Sequence, residues 1–75
     1  MTTYNDATGN SGITAFQSNN DSITIEYKNG SAYQYSDHTT GFANVGHMKT
    51  LAASGQGLNS FINKSLTKAQ AVRVR

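Results

Sequence analysis

Two histidines, four carboxylates and six lysines or arginines are the side chains of this 75-residue sequence that could carry acid–base, metal or phosphate chemistry. Asp37-His38 together with His47 looks like half of a catalytic or metal site. The pattern goes no further. Two histidines nine positions apart, one beside an acid, match no established zinc spacing. No candidate nucleophile has a positioned base in the sequence. Cysteine is absent, which excludes thiolate zinc sites and disulfides together. The expectation is a protein with no catalytic residue, no metal and no cofactor, and so not an enzyme. Asp37 and His38 read as loop residues, and His47 as a residue on a helix surface.

The charges are segregated. Residues 1–37 hold all four acids (Asp6, Asp21, Glu26, Asp37) and a single base, Lys28. Residues 38–75 hold Lys49, Lys64, Lys68, Arg73 and Arg75 and no acid. A surface that meets phosphate needs this kind of half, because each phosphate neutralised adds salt-dependent affinity. The competing reading is that bases near helix C-termini offset the helix dipole, and that five bases over this length are sparse. The net charge is only +2 and charged residues are 13%, against ~25% in an ordinary globular domain, so electrostatic steering is weak. Gly55-Gln56-Gly57 before a helical stripe could offer backbone N–H groups to a phosphate. It lacks the lysine, the length and the preceding strand of a P-loop, and a tight turn needing left-handed residues explains it more simply. Asn59 and Asn63 read as capping or bonding within that turn.

Which elements would position these residues? Ser22-Ile23-Thr24-Ile25-Glu26-Tyr27-Lys28 alternates cleanly, with Ile23, Ile25 and Tyr27 on one face. Asn29-Gly30 turns the chain into Ser31-Ala32-Tyr33-Gln34-Tyr35-Ser36. A two-residue loop would place Tyr33 and Tyr35 opposite Ile23 and Ile25, as an outer platform for stacking bases. A three-residue loop, Lys28-Asn29-Gly30, puts all five large side chains on one face. One step of register flips the whole set, and each buried large side chain is worth ~1.5–3 kcal/mol. The three-residue loop is therefore predicted, as a type I turn with Gly30 left-handed in a G1 bulge. Ile13-Thr14-Ala15-Phe16-Gln17 is a third candidate strand without clean alternation, followed by a turn at Asn19-Asn20-Asp21.

Downstream of a polar connection at 37–41, in which Thr39 or Thr40 can act as N-cap, Phe42, Val45, Met48 and Leu51-Ala52 recur at helical spacing. A helix from about 41 to 54 is predicted, ending at Gly55. Leu58, Phe61, Ile62 and Leu66 predict a second, from about 58 to 66. The division expected is a mobile N-terminal arm (1–11), one α+β domain (12–66) and a basic C-terminal tail (67–75). The last segment alternates Val and Arg and reads equally as an edge strand. The predicted core comprises Ile13, Phe16, Ile23, Ile25, Tyr27, Tyr33, Tyr35, Phe42, Val45, Met48, Leu51, Leu58, Phe61 and Ile62.

The run 23–35, an alternating apolar strand, a glycine turn and a Tyr-x-Tyr strand, resembles the hairpin of KTSC domains. Leu51, Ala52 and the run from Ser54 to Ile62 resemble that family's helix end, with Gly55, Leu58, Asn59 and Ile62 on its steps. The resemblance covers roughly residues 11–66. It departs at Ala53, where the family has serine, at Gly57, where it has an aromatic, and in the missing Val-Pro after the hairpin. The family is named for a C-terminal segment of some lysyl-tRNA synthetases, and also occurs as stand-alone bacterial and phage proteins. It implies strands followed by two helices and an RNA-related role, with no established activity. The hairpin tyrosines and the Gly55–Ile62 turn carry over as structure.

Three further bounds come from size and composition. Leu, Ile, Val and Phe are scarce, and a domain this small buries only ~60% of its unfolded surface, so stability should be on the order of 4–8 kcal/mol. Self-association or a partner is then a route to reinforcement. No apolar run is long enough to span a bilayer, and the first residues lack the features of a secretion signal, so a cytoplasmic location and no membrane partner are expected. The expected fold is α+β, a three-stranded antiparallel meander packed on one face by two helices. The expected function is a small non-catalytic nucleic-acid-binding module, RNA in preference, using Lys49, Lys64, Lys68, Arg73 and Arg75. The alternative is a protein-interaction accessory protein, encoded by a phage or mobile element and able to form a homodimer.

Overall fold

The computed structural model describes residues 2–5, 12–65 and 71–75. Within them the α+β class and the antiparallel meander stand, but the element count is larger than expected. Five strands, β1 (Thr2–Thr3), β2 (Ile13–Ser18), β3 (Ser22–Tyr27), β4 (Ala32–Ser36) and β5 (Val72–Arg73), form one sheet in the order β1-β2-β3-β4-β5. All the pairings are antiparallel. Three helices, α1 (Asp37–Thr40), α2 (Phe42–Ser54) and α3 (Leu58–Ser65), follow β4.

The central hairpin has the predicted register. Ile23 pairs with Tyr35, Ile25 with Tyr33 and Glu26 with Ala32. The Tyr27 N–H donates to Ser31 O at 2.8 Å and the Gly30 N–H to Tyr27 O at 3.0 Å, closing a three-residue loop. Gly30 has φ +89°, a conformation that a Cβ would strain. Asn29 Oδ1 accepts from the Ser31 N–H at 3.0 Å and the Ser31 hydroxyl at 2.6 Å, locking the turn. Ile23 and Ile25 are fully buried as a result.

Strand β2 shows why its alternation looks broken. A bulge lies between Ile13 and Ala15, so Ile13 faces Tyr27 and Phe16 faces Ile25 although they are three positions apart. Both are buried. Thr14, at the bulge, reaches the Glu26 carbonyl at 3.3 Å and its carboxylate at 3.4 Å.

The two extra strands are the edges. In the segment read as an N-terminal arm, Thr2 and Thr3 pair with Phe16 and Ala15. Tyr4 is only 5% exposed, within the core, and its N–H donates to Thr14 O at 3.0 Å. In the segment read as a tail or edge strand, Val72 and Arg73 pair with Gln34 and Tyr33. Strands of two residues are too short to show a period, which is why the sequence did not count them.

The polar connection at 37–41 is mostly a helical turn. Ser36 caps this turn, its hydroxyl accepting from the Thr39 N–H at 3.3 Å, and the expected capping of α2 by Thr39 or Thr40 does not occur, because both lie within α1 and Gly41 takes the N-cap position. Asp37 in the first turn suits the positive end of the helix dipole. Gly41, with φ +101°, breaks the path and starts α2 without a side-chain cap. From there Val45, Met48 and Ala52 are buried against the sheet. Gly55, left-handed, closes α2 by donating to Leu51 O at 3.1 Å and Ala52 O at 3.3 Å. Leu58 is fully buried, and Phe61 and Ile62 pack at the margin of the core.

Phe42 is the clear correction to the expected core. It is 77% exposed despite lying on the helical stripe. Helical side chains lean towards the N-terminus, and Phe42 is the first residue of α2, so it projects beyond the packed length of the helix. Thr40 of α1 is the buried residue at this corner.

Candidate nucleic-acid interface

The core ends before α3 covers the whole hairpin. Because β3 and β4 register Tyr27, Tyr33 and Tyr35 on the helix side, their rings line a cavity of about 290 Å³ together with Ile62 and Asn63 of α3 and Ala71 before β5. Tyr27 and Tyr33 meet edge to face, with ring centroids 5.9 Å apart at 78°. Tyr35 is buried, and the other two are half-buried. Burial pushes the phenol of Tyr35 well above its ordinary value, and the neighbouring Tyr27 hydroxyl pushes it the same way. Burial raises Tyr27 as well, partly countered by its hydrogen bond with Tyr35. Both are neutral hydroxyls at physiological pH, able to donate and accept.

The five expected cations do not form one patch. Lys49, on α2, directs its ammonium to the carbonyls of Asn19 and of Asn20 (3.4 Å to the latter), so it braces the β2–β3 turn. Arg75 lies beyond β5, and its guanidinium pairs with the Glu26 carboxylate. Ala32, which pairs with Glu26 and exchanges backbone hydrogen bonds with residues 74 and 75, is small enough for that pair to close over it. Lys49 and Arg75 thus sit at opposite ends of the sheet, one at the β2–β3 turn and the other beside the start of β4.

Lys64 and Arg73 lie on the two elements that border the cavity, α3 and β5. Lys64 follows Asn63 in the last turn of α3, and Arg73 is the register partner of Tyr33. Among the described residues neither is paired with an acid; Arg73 Nε donates to the Arg75 carbonyl at 3.0 Å. Lys68 lies outside the described residues.

The other sequence constellations dissolve into structure. Asp37 and His38 are in α1, not a loop, whereas His47 is on the exposed face of α2, its ring 4.6 Å from that of Phe61 and tilted at 58° to it. No group of three or more His, Cys, Asp or Glu is assembled for a metal among the described residues. Gly55 and Gly57, with φ of +78° and +83°, make a helix-to-helix turn, and Gly57 O accepts the first hydrogen bond of α3 from Phe61. Among the described residues no helix is long and apolar enough to cross a membrane.

Two cavity residues were missed in the sequence. Asn63 was read as part of a turn, although its place directly after Ile62, on a helix with Leu58 and Phe61 facing inward, was a signal that it borders the buried stripe. Ala71 has no comparable signal, because only the pairing of β5 with β4 brings it there. Compared with protein families, with curated proteins and with solved structures, the chain matches none.

Proposed function

We propose that this protein is a small, non-catalytic nucleic-acid-binding module with RNA as its ligand. The observation that carries the reading is a tyrosine-lined cavity bordered by α3, whose last turn holds Lys64, and by β5, whose Arg73 pairs with Tyr33; neither cation has an acid partner among the described residues. Lys49 and Arg75 support the fold more than the ligand, since both are engaged within the chain. The KTSC resemblance of the hairpin and of the Gly55–Ile62 turn favours the same class.

The test is binding of a fluorescent single-stranded RNA measured across a salt series. Affinity should fall with salt at a slope of about 0.7 per phosphate contact. Lys64→Glu combined with Arg73→Glu should abolish binding and leave the thermal midpoint nearly unchanged, because both side chains are exposed. Unaltered affinity in that variant would remove this surface from consideration.

One observation favours a second reading, a protein-interaction accessory. Phe42 is 77% exposed, and Val72 and Val74 are about half exposed. Such residues are common at interfaces, although scattered singly they are also ordinary surface. Under this reading Phe42→Ser would weaken self-association or capture of a partner, measured by sedimentation, without any dependence on salt.

A further inference from the structure

We infer that the cavity between the hairpin tyrosines and α3 takes one unstacked nucleobase of a single-stranded RNA, with Asn63 contacting the edge of that base. This rests on the RNA-binding reading above and goes beyond it, from charge attraction to a site for the base itself.

Three features converge on that occupant. The first is size. About 290 Å³ is at the small end of ligand cavities, enough for one planar ring system and too little for an extended peptide with several side chains. The second is the wall chemistry. Tyr27 and Tyr33 stand at 78° to each other, so a ring lying flat on one meets the edge of the other, the two arrangements that aromatic groups favour. Stacking on an aromatic side chain is the usual way an RNA-binding protein holds a splayed-out base. The third is the polar rim. Asn63 is exposed at the mouth and offers an amide donor and acceptor side by side, the complement of a base edge. No acid lines the cavity. Lys64 follows Asn63 on α3 and Arg73 pairs in register with Tyr33, so each of the two elements bordering the cavity carries an exposed cation for the flanking phosphates.

The chain has four tyrosines and no tryptophan, and three of the four line the cavity, so its intrinsic emission reports mainly on these rings. The experiment titrates the full chain with three probes of equal length: single-stranded RNA, its duplex, and a strand of abasic sites that keeps the phosphates and lacks the bases. The expected result is quenching and tight binding by the single strand, with roughly tenfold weaker binding of the abasic strand. Asn63→Ala, a substitution at an exposed helical site, should weaken single-strand binding by about tenfold and leave the salt slope unchanged. Tyr33→Leu should weaken single-strand binding and reduce the quenching, Tyr27 and Tyr35 remaining in the cavity, and Asn63→Ala stands as the independent probe if that variant does not fold. Equal binding of the abasic and normal strands, or no effect of Asn63→Ala, overturns the base site while leaving the charge-based reading intact. Binding of none of the three probes overturns both.

Discussion

The central hairpin and the two sheet edges are held by different means. In β3 and β4, alternating large residues on one face fix the register, and the buried Ile23 and Ile25 give that register its energy. In β1 and β5, two residues each, nothing alternates. Each edge is tied in beside its strand: the first by Tyr4, buried and bonded to Thr14, and the second by Arg75, paired with Glu26 and hydrogen-bonded to Ala32. A strand long enough to alternate secures itself. A shorter one depends on an anchor outside it.

The strongest way to break this contrast is Ile25→Ala. It should cost about 3 kcal/mol, as large-to-small changes at fully buried sites do, and lower the urea midpoint of the whole domain. Tyr4→Ala should cost about 2 kcal/mol, and hydrogen exchange should then speed up at Thr14 and Phe16 before it does in β3. Equal loosening of β3 would show that the first edge is part of the central unit.

A third test is alkaline. Because the folded protein holds the phenols of Tyr27 and Tyr35 above their ordinary value of 10.0, the unfolded chain releases those protons first. The stability is fully present below pH 10 and is lost as pH rises beyond it. For Tyr35 alone the loss is roughly 1.4 kcal/mol per pH unit. The ring signals of Tyr27 and Tyr35 in NMR spectra and the circular dichroism, followed together, should change in one step above pH 10; early ionisation of these two with the fold intact would show the tyrosine cavity to be wetter than its burial indicates. The smallest effect is expected for Arg75→Ala, under ~1 kcal/mol and erased by salt, since its guanidinium is well exposed. A larger loss would make the second anchor as important as the first.

The same contrast explains what could be read in advance. The α+β class, the loop of three residues and the extent of α2 followed from alternation, a glycine turn and helical spacing. The two edge strands did not, because their stability lies in contacts made by neighbouring residues. Phe42 was misassigned because helical spacing shows which face a residue takes and not how far the packed surface reaches along the axis. For the candidate site, three tyrosines were legible as one set. Their incomplete cover by α3, and the arrival of Asn63 and Arg73 beside them, depend on tertiary packing. Of the five cations expected to act together, two are drawn into bonds with Asn19, Asn20 and Glu26, all distant in the chain, which a count of charges by sequence half does not anticipate.

The strand order has one more consequence. Each strand pairs with the one before it in the chain, and from β1 to β4 the connections between paired strands are short, whereas β5 reaches β4 only after the three helices. Closing short loops costs little chain entropy, and sheets wired this way fold faster than those whose neighbours are far apart. The Lys28–Gly30 turn is the natural nucleus, and growth can proceed outward in both directions. The β4–β5 pairing spans the longest connection and should form last. The cavity, which needs Ala71 from that final step, would then be completed only when the rest of the domain is already in place.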